Sequence, residues 1–188
     1  MNLAKTIVST LCFGLLISFS SEAQRAYLDV GEPVEVYPKV EWLQGGPITK
    51  FDKDKIYVVE LWATWCKPCV AQMPHLNALS LKFKDKITFV GQNIWEEDID
   101  KVREFLAKNK GLITYPVAFG GGPAGTSDFD RNWTKPSGTS GIPATFIIQN
   151  NTLVYMTDPF KLNEAMLQLL VDGKFTVEAA NKLIVPKR

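Results

Sequence analysis

Along this chain short β-like apolar runs alternate with stretches in which apolar residues recur at helical spacing. The run 56–62, Ile-Tyr-Val-Val-Glu-Leu-Trp, is dense in β-branched and aromatic residues and reads as a buried central strand, with Glu60 out of place inside it. Over 66–83 the apolar positions Val70, Met73, Leu76, Leu79 and Phe83 predict a helix, and the stripe Leu76, Leu79, Phe83 reads as core. Pro68 is tolerated in the first turn of that helix, whereas Pro74 predicts a kink. The same reading gives a strand at 87–91, a helix at 97–108 and a strand at 113–119. Two strands follow at 144–149 and 153–156 around an Asn150-Asn151 turn, then a helix at 161–171 and a last segment at 177–183. Ahead of these elements, 34–37 and 40–43 read as short edge strands broken by Gln44-Gly45-Gly46-Pro47. The order β, α, β, α, β-β, α predicts an α/β fold with a mixed central sheet flanked by helices. Residues 120–127, Gly-Gly-Gly-Pro-Ala-Gly-Thr-Ser, are a flexible loop by composition; a solvated linker is the simplest account, although long loops in compact domains often carry function.

Charge and the N-terminus add a compartment. With 21 basic and 20 acidic residues and a net charge of +1, nothing points to nucleic acid or an acidic membrane surface as a partner. The chain begins Met1-Asn2-Leu3-Ala4-Lys5, continues through an apolar and small-residue run at 6–19 and reaches Ser20-Ser21-Glu22-Ala23. This fits a signal peptide, 1–23, cleaved after Ala23. The run is shorter than the ~20 residues a spanning helix needs, so an uncleaved N-terminal membrane anchor is the second reading. Cleavage leaves about 165 residues, enough for one domain with a sizeable core. That domain is 24–188, with its core at about 34–172 and a C-terminal extension at 173–188. Export places its thiols in the periplasm or outside the cell, where disulfides persist.

The candidate chemistry lies directly after the central strand, in Trp62-Ala63-Thr64-Trp65-Cys66-Lys67-Pro68-Cys69. If a helix begins near Cys66, its unpaired N–H groups and positive end favour a thiolate there, and Cys69 lies one turn deeper on the same face. That arrangement makes Cys66 the candidate nucleophile and Cys69 the thiol that attacks a mixed disulfide formed at Cys66. A zinc site needs further ligands, yet the only other cysteine is Cys12 in the leader and the only histidine is His75. Haem attachment requires histidine after the second cysteine, where this chain has Val70. A purely structural disulfide over so short a loop would constrain the unfolded chain little. Lys67 favours the thiolate by charge or is simply solvated. His75 reads as a surface helix residue.

The stretch from Val58 to Cys69 and the segment Gly141-Ile142-Pro143-Ala144-Thr145-Phe146 resemble the secreted thioredoxin-fold proteins of the TlpA/ResA-like group, with the element order agreeing over about 34–171. The resemblance implies a thioredoxin-like fold and a thiol-disulfide oxidoreductase with Cys66 and Cys69 as its redox pair. It implies no cofactor beyond that disulfide and no metal. Pro143 would be the cis-proline facing the disulfide, and Ile142 would offer its backbone to a substrate strand, with Trp65, Lys67 and Pro68 on the same surface. Glu60 matches the position at which cytosolic thioredoxins carry a buried acid assigned to proton transfer with the second cysteine. A carboxylate in an apolar strand has a raised pKa, as that role needs, while a glutamate reaching solvent or a lysine is the plainer account. Gln72 departs from the group, many of whose members have glutamate there, so the acid of this site is Glu60 instead. The implied partners are protein disulfides and a separate electron donor, such as a membrane thiol reductase, for a protein that acts as a monomer. Two other readings stay open. One is a redoxin-type peroxidase, which needs a threonine and an arginine beside its cysteine and has Thr64 nearby. The other is a redox-inert binding module.

Overall fold

The computed structural model describes residues 27–184, so the expected leader at 1–23, its expected cleavage site and residues 185–188 lie outside the described residues. Six strands form one sheet: β1 (Glu41–Gln44), β2 (Ile56–Trp62), β3 (Ile87–Asn93), β4 (Val117–Phe119), β5 (Ala144–Gln149) and β6 (Thr152–Thr157), in the order β1-β4-β3-β2-β5-β6. β2, β3 and β4 run parallel, while β1, β5 and β6 pair antiparallel with their neighbours, which gives the expected mixed sheet. β2 is buried along its whole length, as its apolar run requires.

The alternation of β2 divides the core in two. Ile56, Val58 and Trp62 face a cluster that takes in side chains from all four helices, α1 (Lys67–Lys82), α2 (Ile99–Lys108), α3 (Glu164–Val171) and α4 (Val177–Lys182). Tyr57, Val59 and Leu61 face the other way, onto Leu28, Val34, Tyr37 and Phe51 from the N-terminal segment, Trp133 from a π-helical turn at Asp130–Thr134 and Phe129 just before it. Trp133 packs its ring against Tyr37, Phe51, Phe129 and Phe146. Among the described residues no helix is long and apolar enough to cross a membrane.

Several expected elements shorten, for local reasons. The strand expected over 113–119 keeps only Val117–Phe119, because Pro116 lacks an N–H and the Gln44 amide binds the carbonyls of Ile113 and Tyr115 at 3.0 and 2.8 Å. The helix expected at 97–108 starts at Ile99, since the Asp98 side chain caps it. The helix expected at 161–171 divides into a 3-10 turn at Pro159–Lys161, capped by Asp158, and α3, capped by Asn163. Of the strand expected at 34–37 only an isolated bridge between Val36 and Lys50 forms. α1 runs uninterrupted through Pro74. The turn after β1 contains a cis Gly46–Pro47 bond, and a side chain on Gly46 would collide with the Trp42 ring.

Candidate active site

β2 and α1 meet at Cys66 and Cys69, which are joined in a disulfide with their Cα atoms 5.3 Å apart. Cys66 is the N-cap of α1, and its sulfur accepts a hydrogen bond from the Cys69 N–H at 3.3 Å. Cys66, the expected nucleophile, therefore lies at the positive end of the helix, where a thiolate is favoured. Cys69 is the deeper of the pair, with its Sγ 4.0 Å from the Leu61 carbonyl of β2. Pro68 occupies the first turn of α1, where a missing N–H costs nothing, and both it and Lys67 are exposed.

Glu60 points to the same face of β2 as Trp62, in the cluster that holds both cysteines. It is 2 % exposed and has no cationic partner among the described residues. Burial pushes its carboxyl from 4.5 up to about 7, opposed by the Tyr115 hydroxyl, which donates to Oε1 at 2.5 Å. Tyr115 is itself raised well above its ordinary value by burial and by the neighbouring carboxyl. Gly91 lies opposite Glu60 in the β2/β3 register. A Cβ there would fall 3.2 Å from Trp62 Nε1, 3.3 Å from the Tyr115 ring and 3.6 Å from Glu60 Oε1, so the absent side chain makes room for the carboxyl.

The Ile142–Pro143 bond is cis, and the next residue, Ala144, pairs with Leu61. This register brings Pro143 to the end of the sheet at which Cys69 lies against Leu61. Ile142 and Pro143 are half-buried there, and Trp65 is 55 % exposed beside Cys66. Trp62, by contrast, is fully buried and packs on Phe105. His75 is exposed on α1, its Nε2 2.8 Å from the Leu162 carbonyl.

Sequence reasoning did not find Tyr115, Trp95, Glu96 or Asp130. Glu96 is buried beneath the redox loop, where it accepts from the Thr64 N–H at 3.0 Å, from the Thr64 hydroxyl and from Asn93 Nδ2 at 3.0 Å. The Trp95 carbonyl takes the Trp65 indole N–H at 3.1 Å, and the Trp95 indole donates to Asp130 Oδ1 at 2.8 Å. In sequence Trp95 and Glu96 sit in the ordinary acidic stretch Trp95-Glu96-Glu97-Asp98, and only a contact 30 or more residues away gives them meaning.

A family model described as Redoxin matches residues 48–164. Protein FixW of Rhizobium leguminosarum is 27 % identical over 166 residues, which cover 86 % of this chain and 73 % of that protein. Thiol-disulfide oxidoreductase ResA of Bacillus thuringiensis (strain Al Hakam) is 31 % identical over 111 residues, 58 % of either protein, so the chain spans under two thirds of that relative. Among solved structures, a Chlorobium tepidum protein provisionally named thiol:disulfide interchange protein DsbE superposes with a TM-score of 0.56 at 22 % identity, over 79 % of this chain and 99 % of that one. That likeness shows the fold.

Proposed function

The chain belongs to the redoxin family of thioredoxin-fold proteins, and on that footing we propose that it is an exported thiol-disulfide oxidoreductase that reduces protein disulfides with its Cys66–Cys69 dithiol. The observation that carries the reading is a disulfide capping the N-terminus of α1 beside a buried carboxyl, Glu60, that has no cationic partner among the described residues.

In the reduced protein the Cys66 thiolate attacks one sulfur of a substrate disulfide. A Cys66–substrate bond forms and the other substrate sulfur leaves as a thiolate. Cys69 then gives its proton to Glu60 and attacks Cys66 Sγ, expelling the second substrate thiolate and closing the Cys66–Cys69 disulfide. Two electrons have moved to the substrate, and a separate dithiol donor, such as a membrane thiol reductase, must return them. A base that titrates near neutral pH suits the second step, because an unassisted buried thiol has a pKa above its ordinary value. The substrate segment lies extended along Ile142 and Pro143, with Trp65, Lys67 and Pro68 around the sulfur it approaches.

The peroxidase alternative finds less support. The Thr64 hydroxyl is committed to Glu96, while Arg103 binds Glu41 and Asp100 and Arg131 binds the Thr126 carbonyl and Asp128. Both arginines among the described residues are therefore engaged with groups other than Thr64 and Cys66.

The test is reduction of insulin by the pre-reduced protein. Cys66→Ser abolishes it, whereas Cys69→Ser accumulates a mixed disulfide with the substrate; equal trapping by both variants would overturn the assignment of roles. Equilibration against dithiothreitol buffers gives the direction of flow: a potential near thioredoxin's, about −270 mV, marks a reductant, and one nearer about −120 mV a disulfide donor. N-terminal sequencing of the protein recovered from the periplasm or medium should begin at Gln24, and retention of Met1 would favour the anchor.

A further inference from the structure

The loop that leads into Cys66 is held by hydrogen bonds from a single turn. Trp65 is too exposed, at 55 %, for packing alone to fix its ring. Its indole N–H is instead tied to the Trp95 carbonyl, and the preceding residue, Thr64, is tied through both N–H and hydroxyl to Glu96. Trp95 has a φ of 56°, a left-handed conformation that a bulky side chain adopts only when its surroundings impose it. Two buried carboxylates hold this turn, one through the Trp95 indole and one at the next residue. Glu96 is held by Thr64 and Asn93, and Asp130 accepts the Trp95 indole N–H while also accepting from Thr134 Oγ1 at 2.7 Å and Ser127 Oγ at 2.8 Å. Asp130 opens the π-helical turn that follows the glycine-rich loop, so Asp130, Trp95 and Trp65 form one continuous chain from that turn to the rim of the disulfide.

Resting on the oxidoreductase reading, we infer that Trp95 and Asp130 are positioning residues that hold Trp65 as a fixed apolar wall for the substrate segment beside its cysteine. The wall selects protein disulfides whose cysteine is flanked by an apolar or aromatic side chain, since a half-exposed indole locked by its N–H offers its ring face and no free donor. The thiol chemistry at Cys66 and Cys69 does not pass through this chain, so its effect falls on substrate capture.

Trp95→Phe is the direct probe. It removes the indole N–H together with part of the ring, keeps the carbonyl that Trp65 binds, and leaves Asp130 with its Ser127 and Thr134 partners. With insulin as substrate and dithiothreitol as donor, KM should rise about three- to tenfold, the range of one hydrogen bond to a buried carboxylate transmitted in part. kcat and the reduction potential should hold. Trp65→Phe, at an exposed position where folding is not at stake, should raise KM to a similar extent, and Trp65→Phe/Trp95→Phe should be no worse than either alone. Unchanged KM in Trp65→Phe, or additive effects in the double variant, would overturn the clamp while the oxidoreductase reading stood. If the wild-type dithiol failed to reduce insulin at all, the oxidoreductase reading itself would fail.

Discussion

Replacing Glu60 by glutamine separates the stability of the protein from its chemistry. The buried carboxyl titrates near 7 in the folded protein and at its ordinary 4.5 in the unfolded chain. Between those values the folded protein keeps a proton that the unfolded chain has lost, so stability falls as pH rises through this window and levels off above it. At 1.36 kcal/mol per pH unit, the interval from 4.5 to about 7 corresponds to about 3 kcal/mol. The glutamine amide does not titrate. Relative to wild type, Glu60→Gln should therefore gain about 3 kcal/mol between about pH 4.5 and about pH 7, on top of a constant offset for the amide's own hydrogen bonding. Guanidinium unfolding of the oxidised protein at several values from about pH 4 to about pH 8 measures this, with the slopes compared to check that the unfolded states match. The same variant should resolve mixed disulfides at least about tenfold more slowly near neutral pH, because Cys69 loses the proton acceptor proposed for it. Parallel stability curves for the two proteins would refute the reasoning, since the carboxyl would then have an ordinary pKa and no special fitness as a base.

Three further outcomes follow from the same neighbourhood and from the opposite face. Tyr115→Phe removes the hydroxyl that stabilises the Glu60 carboxylate, so the Glu60 midpoint, followed by carbon NMR of the carboxyl, should move above its present value of about 7; a downward move would contradict the geometry. Gly91→Ala places a methyl 3.2 Å from Trp62 Nε1 and 3.3 Å from the Tyr115 ring, and should lower stability by about 1–3 kcal/mol in a denaturant titration; an unchanged midpoint would mean that the cluster opens freely. Trp133→Leu removes a ring packed against four others and should cost about 2–4 kcal/mol. Its reduction potential should match wild type, because Trp133 lies across the sheet from the disulfide; a shifted potential would show that the two faces are coupled.

What the sequence made legible depended on how local the cause was. β2, α1 and β5 carry their own periodicity, and Cys66, Cys69 and Glu60 could be placed because a short motif fixes their spacing to a strand end and a helix start. The ends of elements were harder, since they are set by single side chains: Asp98 and Asn163 as caps, and Gln44 reaching across to take carbonyls from the strand expected at 113–119. Leu28 lies ahead of every expected element and the strand expected at 34–37 forms only a bridge, yet Leu28, Val34 and Tyr37 are buried, because a chain without regular pairing can still place single side chains in a core. Tyr115, Trp95, Glu96 and Asp130 were out of reach for a different reason. Each gains its role from one partner that is distant in sequence and adjacent only once the strands have paired.

The sulfur of Cys66 serves α1 as its N-cap, so breaking the disulfide does not leave the helix end bare. A free thiolate, a substrate adduct and the closed disulfide all keep a sulfur at the position that receives the Cys69 N–H, and the first turn need not fray at any point in the cycle. The choice of an inactive control matters for the same reason. A serine at this position retains an oxygen where helices prefer one, whereas an alanine removes the cap and costs about 1 kcal/mol. A loss of activity in the alanine variant therefore mixes missing chemistry with a loosened helix, and the serine variant reports the chemistry alone.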